Sequence, residues 1–170
     1  MPRIHVCSVK NLAPTAIETG ASHVLTLIKN ISMVPVLPSI GAGKHLKLDF
    51  SDITEPREGE VPPLPEHVEK IIEFATNWDR AAPMIVHCYA GVSRSTAGAF
   101  IATCLLKPDW DEGEIAQLIR NASPTATPNS RMIAFAEEIM GRDGRMVAAI
   151  AAIGRGEDCF EGVPFHIEIG

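Results

Sequence analysis

The sequence predicts an α/β fold, in which a small, twisted and mainly parallel sheet is flanked by helices. Short β-rich runs fill the first half of the chain, helical patterns fill the second, and a strand-loop-helix unit joins them at residues 83–106. The 170 residues suffice for one core, and neither a repeat nor a shift in composition divides them, so we expect a single domain over 1–170. The glycine-rich, acidic residues 154–170 carry no pattern that assigns them a structure.

The amino-terminal half is expected to alternate strands with connecting segments. The predicted strands are residues 3–9, 23–28 and 45–50. The predicted loops, which are rich in proline, glycine or polar residues, are 33–45 and 51–64. Between the first two strands, Pro14–Thr19 fits a short helix, and Gly20 is a suitable residue to end it.

The second half is expected to be mostly helical. Pro65 fits a first helical turn, and apolar residues follow at helical spacing as far as Trp78. Asp111 and Glu114 have the spacing of a capping box, and Asn129 is a suitable cap for the helix after it. The predicted helices are residues 65–79, 95–106, 111–122, 130–140 and 145–153.

Composition argues against several classes of partner. The net charge is −6 and no lysine-arginine run is present, so we expect no nucleic acid partner. No apolar segment approaches the roughly 18 to 20 residues of a membrane span, and the amino terminus lacks a signal-peptide pattern. Four cysteines without a CxxC pair and six scattered histidines predict neither a metal site nor a disulfide framework. We therefore expect a cytoplasmic protein that binds no membrane and needs no cofactor.

The segment "PMIVHCYAGVSRS" has the features of an anion site. Its first part, 83–88, is continuously apolar, as in a central strand, and Cys88 falls at the carboxyl end, where open α/β sheets bind ligands. A loop with inward N–H groups, a helix amino terminus and the planar fork of Arg94 together suit a tetrahedral anion. Gly91 permits the tight turn. The expected phosphate-binding residues are Tyr89, Ala90, Gly91, Val92, Ser93 and Arg94.

The same environment is expected to activate Cys88. A helix amino terminus and Arg94 both favour the thiolate, which is the nucleophilic form of cysteine. The hydroxyl of Ser95 can hydrogen-bond this sulfur, most usefully when the sulfur departs. We expect His87 to order the loop rather than to transfer protons.

If the Cys88 thiolate attacks the phosphorus of a bound phosphate ester, an acid is needed to protonate the oxygen that leaves. That acid has to come from another loop at the same edge of the sheet. "LDFSD" offers two candidates, Asp49 and Asp52. Leu46, Leu48 and Phe50 alternate, and Asp52 is next in that phase, just past the expected end of the strand. Asp52 is therefore the favoured candidate, with Asp49 as the alternative.

Several segments of the sequence resemble those of a known protein family. "VHCYAGVSRST" resembles the HCxxGxxRS/T signature of the cysteine-dependent protein tyrosine phosphatases, and the short chain resembles the dual-specificity branch. The strand-acid-loop-helix-strand order of 45–88 and the PxxxPN sequence of 124–129 are similar as well, so the resemblance covers roughly 23–140. In such proteins an asparagine like Asn129 supports the phosphate loop.

The resemblance implies a metal-independent phosphatase with a two-step reaction. Cys88 would form a phosphocysteine, Arg94 would clamp the phosphate, and Ser95 would assist thiolate departure. Asp52 would act first as general acid and then as general base. The implied substrate is a phosphorylated protein or a small phosphomonoester.

Other functions remain open at this stage. The same loop would serve a module that binds a phosphorylated ligand without catalysis. A phosphoinositide phosphatase is a further alternative, although the lysines that lipid phosphatases carry in this loop are missing from YAGVS. The sequence does not distinguish tyrosine-only from dual specificity, and it does not give the oligomeric state. Cys7, Cys104 and Cys159 are expected to be structural or incidental thiols, with a redox partner for Cys88 as the minor alternative.

Overall fold

A five-stranded sheet forms the centre of the computed structural model, which describes residues 1–170. The strands are β1 (Arg3–Ser8), β2 (His23–Leu27), β3 (His45–Leu48), β4 (Met84–Cys88) and β5 (Phe165–Glu168). Their order in the sheet is β3-β2-β4-β1-β5. The first four strands run parallel, and β5 pairs antiparallel with β1. The predicted mainly parallel α/β class is therefore confirmed.

Six α-helices cover the two faces of the sheet. They are α1 (Val9–Thr19), α2 (Pro65–Asn77), α3 (Arg94–Leu106), α4 (Glu112–Ala122), α5 (Ser130–Met140) and α6 (Arg145–Ile153). Helix α3 packs on the sheet and is enclosed by α2, α4 and α5, which explains its almost continuous apolar sequence. Helix α1 lies over a second, smaller core on the other face. None of the six helices combines the length and the apolar character that a membrane span requires.

The helix boundaries with clear capping signals are confirmed. Helices α5 and α6 occupy the residues predicted for them. Asn129 caps α5 because its side-chain oxygen accepts hydrogen bonds from the N–H groups of Arg131 and Met132, both at 3.1 Å. At α4 only half of the predicted capping box forms. The Asp111 side chain accepts from the Glu114 N–H at 3.1 Å, but the Glu114 side chain accepts no hydrogen bond from the Asp111 N–H.

Three boundaries differ by two or more residues from the sequence-based prediction. Helix α1 begins at Val9 rather than at Pro14, because Ser8 caps it by accepting from the Asn11 N–H at 3.2 Å. Pro14 lies inside the helix, where it removes a single backbone donor. Helix α2 ends at Asn77, and β3 ends at Leu48, so the polar loop after β3 begins two residues earlier than expected.

The unassigned carboxyl-terminal segment has a defined place in the structure. It ends in β5, a four-residue edge strand whose residues alternate between buried and exposed. Residues 154–164 cross from α6 to this strand along the edge of the sheet where β4 ends, with hydrogen bonds to Pro124, Thr127 and Ala90 on the way. That edge therefore brings together the loop after β4, the loop after β3 and the carboxyl-terminal segment.

Candidate active site

Cys88 lies at the carboxyl end of β4, a strand whose five residues are all buried. Its sulfur is close to two groups that can hydrogen-bond a thiolate. The Gly91 N–H donates to Sγ at 3.2 Å, and the Ser95 hydroxyl oxygen is 3.2 Å from Sγ. Only 2% of Cys88 is exposed, so this sulfur is held at the bottom of the loop that follows it.

The carbonyl groups of that loop face away from Cys88. The carbonyl oxygens of Tyr89, Ala90, Val92 and Ser93 accept from the N–H groups of Val9 (3.2 Å), Gly162 (2.8 Å), Thr127 (2.9 Å) and Asn129 (3.2 Å), respectively. A trans peptide unit carries its C=O and N–H on opposite sides, so each outward carbonyl turns the next N–H inward. The inward N–H groups are those of Ala90, Gly91, Ser93 and Arg94.

These inward donors have the arrangement of an anion site. The N–H groups of Ala90 and Ser93 have no acceptor within the protein. Ser93 is the N-cap residue of α3, but its side chain does not cap the helix, so the helix amino terminus also keeps free donors. Because these groups and the helix dipole converge near the Cys88 sulfur, the loop can hold a tetrahedral anion there.

Arg94 supplies the only positively charged side chain of the loop. Its Nη1 donates to the Phe50 carbonyl oxygen at 2.8 Å, which fixes the guanidinium against the loop after β3. Its Nε is buried and has no partner in the protein. An unpaired buried donor costs about 1–3 kcal/mol, and more when it is charged, so this atom favours an anionic ligand.

The turn of the loop requires glycine at position 91. Gly91 has φ +74°, a left-handed conformation that other residues rarely adopt. A Cβ at this position would lie 2.7 Å from the carbonyl carbon of Cys7 and 2.8 Å from the Ser8 nitrogen. The loop therefore packs directly on the end of β1, as the predicted tight turn requires.

Of the two candidate acids, only Asp52 contacts the loop. Its Oδ1 accepts from the Ser93 hydroxyl at 2.7 Å and from the Asn129 side-chain amide at 2.9 Å. The Asp49 carboxylate instead accepts from the N–H groups of Asn30 (3.2 Å) and Ile31 (3.5 Å), where it supports a different turn. This geometry favours Asp52. It also places Asn129 at the junction of the two loops.

His87 is part of a buried hydrogen-bond chain and does not contact the sulfur. Its Nδ1 lies 3.1 Å from the Cys88 carbonyl oxygen, and its Nε2 lies 2.7 Å from the Thr26 hydroxyl. That hydroxyl is also 2.7 Å from Nε2 of His45. Since a carbonyl can only accept, Nδ1 of His87 carries the proton and Nε2 accepts from Thr26. The hydrogen-bond chain holds the backbone at Cys88, and this geometry favours an ordering role for His87.

Burial keeps both histidines of this chain neutral. It lowers the pKa of His87 to about 4, although the hydrogen bond to the Cys88 carbonyl acts in the opposite direction. Burial also lowers the pKa of His45 to about 4. Between pH 4 and the ordinary value of 6.5, unfolding therefore takes up protons at these residues.

The free energy of unfolding is expected to fall as the pH drops from 7 to 5. The pKa of His87 is lower in the folded state than in the unfolded chain, so protonation favours the unfolded chain once the pH falls below 6.5, and this effect is complete near pH 4. At pH 5, His87 alone lowers the free energy of unfolding by about 2 kcal/mol. Urea unfolding at pH 7 and pH 5 measures the difference. A His87→Gln variant should show a smaller difference, and equal stability of the wild-type protein at the two values contradicts the assignment.

Three contacts of the site were missed by sequence reasoning. They are the Phe50 carbonyl that holds Arg94, the Thr26 hydroxyl that holds His87, and the Gly162 N–H that holds Ala90. Only Thr26 left a signal, as a polar residue within the apolar run "HVLTLI". Phe50 acts through its backbone carbonyl, which residue type does not reveal, and Gly162 is one of four glycines in a segment without a readable pattern.

The other cysteines are placed apart from this chemistry or at its margin. Cys7 and Cys104 are fully buried, and burial raises the pKa of each thiol to about 12. Neither is a thiolate at neutral pH, which disfavours a resolving role for them. Cys159 is exposed and lines a cavity of about 250 Å³ together with Asp52 and Ser93.

Comparison with solved structures shows the fold of small phosphatases. Human DUSP28 is 17% identical over 82% of this chain and 95% of its own, with a TM-score of 0.63. A mouse putative dual specificity phosphatase complexed with zinc tungstate is 17% identical over 86% and 84%, with a TM-score of 0.60. PTPMT1 in complex with PI(5)P is 15% identical over 82% and 93%, with a TM-score of 0.59.

Sequence comparison identifies the family. A comparison with curated protein sequences gave no match. The sequence profile of the family described as protein-tyrosine phosphatase, however, matches residues 45–130, which is just over half of the chain and includes the loop after β4. The chain belongs to the protein-tyrosine phosphatase family.

Proposed function

We propose that this protein is a phosphomonoester hydrolase that removes phosphate from phosphorylated proteins by way of a phosphocysteine on Cys88. Family membership supports a phosphatase activity. The observation that carries the proposal is the set of unpaired donors around the sulfur, above all the buried Nε of Arg94. They form a site that binds a phosphate group and presents its phosphorus to a nucleophile.

In the first step the Cys88 thiolate attacks phosphorus and the bond to the leaving oxygen breaks. Arg94 and the inward N–H groups hold the three equatorial oxygens, over which negative charge is spread in the transition state. Asp52 donates a proton to the leaving oxygen as general acid. Its hydrogen bonds from Ser93 and Asn129 support this role, because they fix the carboxylate beside the phosphate loop.

In the second step water hydrolyses the phosphocysteine. Asp52, now ionised, takes a proton from the water as general base while the water oxygen attacks phosphorus. The sulfur leaves as a thiolate, and Ser95 and the Gly91 N–H stabilise it by hydrogen bonding, since both lie 3.2 Å from Sγ. The products are inorganic phosphate and the free enzyme.

A phosphoprotein is the favoured substrate, with tyrosine or dual specificity. Residues 89–93 contain no lysine, so Arg94 is the only cation of the loop, which suits a single phosphate group. Tyr89, which is 58% exposed, supplies an aromatic side chain from the loop itself. A phosphoinositide phosphatase is the second candidate, because the fold is also that of PTPMT1, solved in complex with PI(5)P.

Hydrolysis of an aryl phosphate in the presence of EDTA tests the proposal. We expect turnover without added metal and competitive inhibition by vanadate, a mimic of phosphate. Matched panels of phosphotyrosine peptides, phosphothreonine peptides and phosphoinositides then rank the substrate classes by kcat/KM. Tight binding of a phosphopeptide without phosphate release over hours would instead identify a binding module.

A further inference from the structure

We propose that Gly162, in the carboxyl-terminal segment, is a positioning residue for the Cys88 thiolate. Its N–H donates to the Ala90 carbonyl oxygen at 2.8 Å, and this peptide unit continues into the Gly91 N–H that contacts the Cys88 sulfur at 3.2 Å. The inference rests on the proposed function in assigning the thiolate a catalytic role. It gives residues 154–164 a part in the reaction, although they lie far from the phosphate loop in sequence.

The rigidity of the peptide unit connects the two hydrogen bonds. The C=O of Ala90 and the N–H of Gly91 belong to one planar trans unit, so they point in opposite directions. When Gly162 holds the carbonyl outward, the N–H is held toward the sulfur. Because Gly91 has no side chain to restrict its backbone angles, the hydrogen bond from Gly162 contributes to fixing the orientation of this unit.

The position of Gly162 is fixed by contacts of the residues that precede it in the segment. Its neighbour Glu161 accepts a hydrogen bond from the Ser8 hydroxyl at the end of β1. Earlier in the segment, the Gly156 N–H donates to the Thr127 hydroxyl at 3.0 Å and the Glu157 N–H to the Pro124 carbonyl at 3.0 Å. These bonds hold the segment against the two loops and make Gly162 a defined donor.

Glycine is required at position 162 by the closeness of this contact. A Cβ added there would lie 2.9 Å from the Gly91 carbonyl oxygen and 3.4 Å from Cγ2 of Val92. The first of these is a backbone atom of the phosphate loop and has little freedom to move. Any side chain at position 162 therefore pushes the segment away from Ala90 and weakens the 2.8 Å hydrogen bond.

The test compares Gly162→Ala with Val163→Ala, its matched control. Val163 is the next residue, is 79% exposed and makes no hydrogen bond to the loop. The readout is the pH dependence of Cys88 alkylation by iodoacetate, followed by mass spectrometry. We expect the midpoint of alkylation in Gly162→Ala to rise by about one pH unit, as for the loss of one hydrogen bond to a charged group. Val163→Ala should keep the wild-type midpoint.

Steady-state kinetics give a second readout. Gly162→Ala is expected to lower kcat/KM for an aryl phosphate about tenfold at pH 6 and to weaken vanadate inhibition, with an unchanged circular dichroism spectrum. If Gly162→Ala does not fold, Glu161→Ala serves instead, since it removes the neighbouring bond from Ser8 and leaves the Ser8 cap of α1 in place. We expect a smaller shift of the alkylation midpoint in the same direction.

The outcomes separate this inference from the proposed function. An alkylation midpoint in Gly162→Ala equal to that of Val163→Ala overturns the positioning role, even in an active phosphatase. The alkylation midpoint of Gly162→Ala can rise even if the wild-type protein hydrolyses no phosphomonoester. That result supports the positioning role and refutes the proposed function. Equal rises in both variants assign the effect to general loosening of the segment and also overturn the inference.

Discussion

Replacing Cys88 with serine is expected to reduce aryl phosphate hydrolysis by ten thousand-fold or more, on the order of what the loss of a catalytic nucleophile costs. A serine hydroxyl is not ionised at neutral pH, and no base is positioned to take its proton. The nitrogens of His87 face Thr26 and the Cys88 carbonyl instead. Phosphate release from an aryl phosphate, measured over several hours, gives the required sensitivity.

The matched control for this variant is Cys159→Ser. It makes the same replacement at an exposed position, where the thiol takes no part in the proposed reaction. Its kcat should remain within about twofold of the wild-type value. Cys88→Ser should still bind a phosphopeptide, because Arg94 and the inward N–H groups remain in place. Activity that survives in Cys88→Ser removes the phosphocysteine mechanism.

Replacing Asp52 with asparagine is expected to lower kcat by about a hundred- to a thousand-fold, within the usual contribution of general acid-base catalysis. An amide at this position can still hydrogen-bond Ser93 and Asn129 but has no acidic proton to transfer to a leaving group. The basic limb of the pH-rate profile should disappear. The loss should be smaller for substrates whose leaving group is a weaker base, because such groups depart without protonation.

Asp49→Asn provides the control, because it makes the same change at the other candidate acid. An asparagine oxygen can still accept from the N–H groups of Asn30 and Ile31. We expect kcat within about threefold of wild type and an unchanged pH-rate profile. If Asp49→Asn loses the basic limb while Asp52→Asn retains it, Asp52 is the wrong assignment.

Much of the candidate site could be predicted from the sequence because it is local. The cysteine proposed as nucleophile, the glycine turn, the arginine and the first residues of the following helix lie within "HCYAGVSRS". A buried apolar strand and a buried apolar helix enclose that stretch, so their ends fix where the loop lies. For the same reason Asn129 and helix α5 were predicted correctly, since a cap acts on the residues immediately after it.

The boundaries that were wrong depend on competing signals. Pro14 favoured a helix start, yet the Ser8 cap and the packing of Leu12 and Ala16 set the start at Val9. Strand β5 was missed because only four residues of alternating burial carry the pattern, and these pair with the far end of the chain at β1. Neither segment by itself contains a pattern that predicts pairing with a distant segment.

The sequence by itself determined the α/β class and the place of Cys88 and its loop between a buried strand and a buried helix, because short-range patterns of burial and backbone freedom specify them. Only the tertiary structure showed that Asp52, and not Asp49, contacts the loop after β4, since the contacts to Ser93 and Asn129 join segments that are distant along the chain. It alone revealed the contacts from Phe50 and Gly162. The Phe50 contact uses a backbone carbonyl that every residue has, and the requirement for glycine at position 162 depends on a close approach to Gly91 that only the folded structure shows.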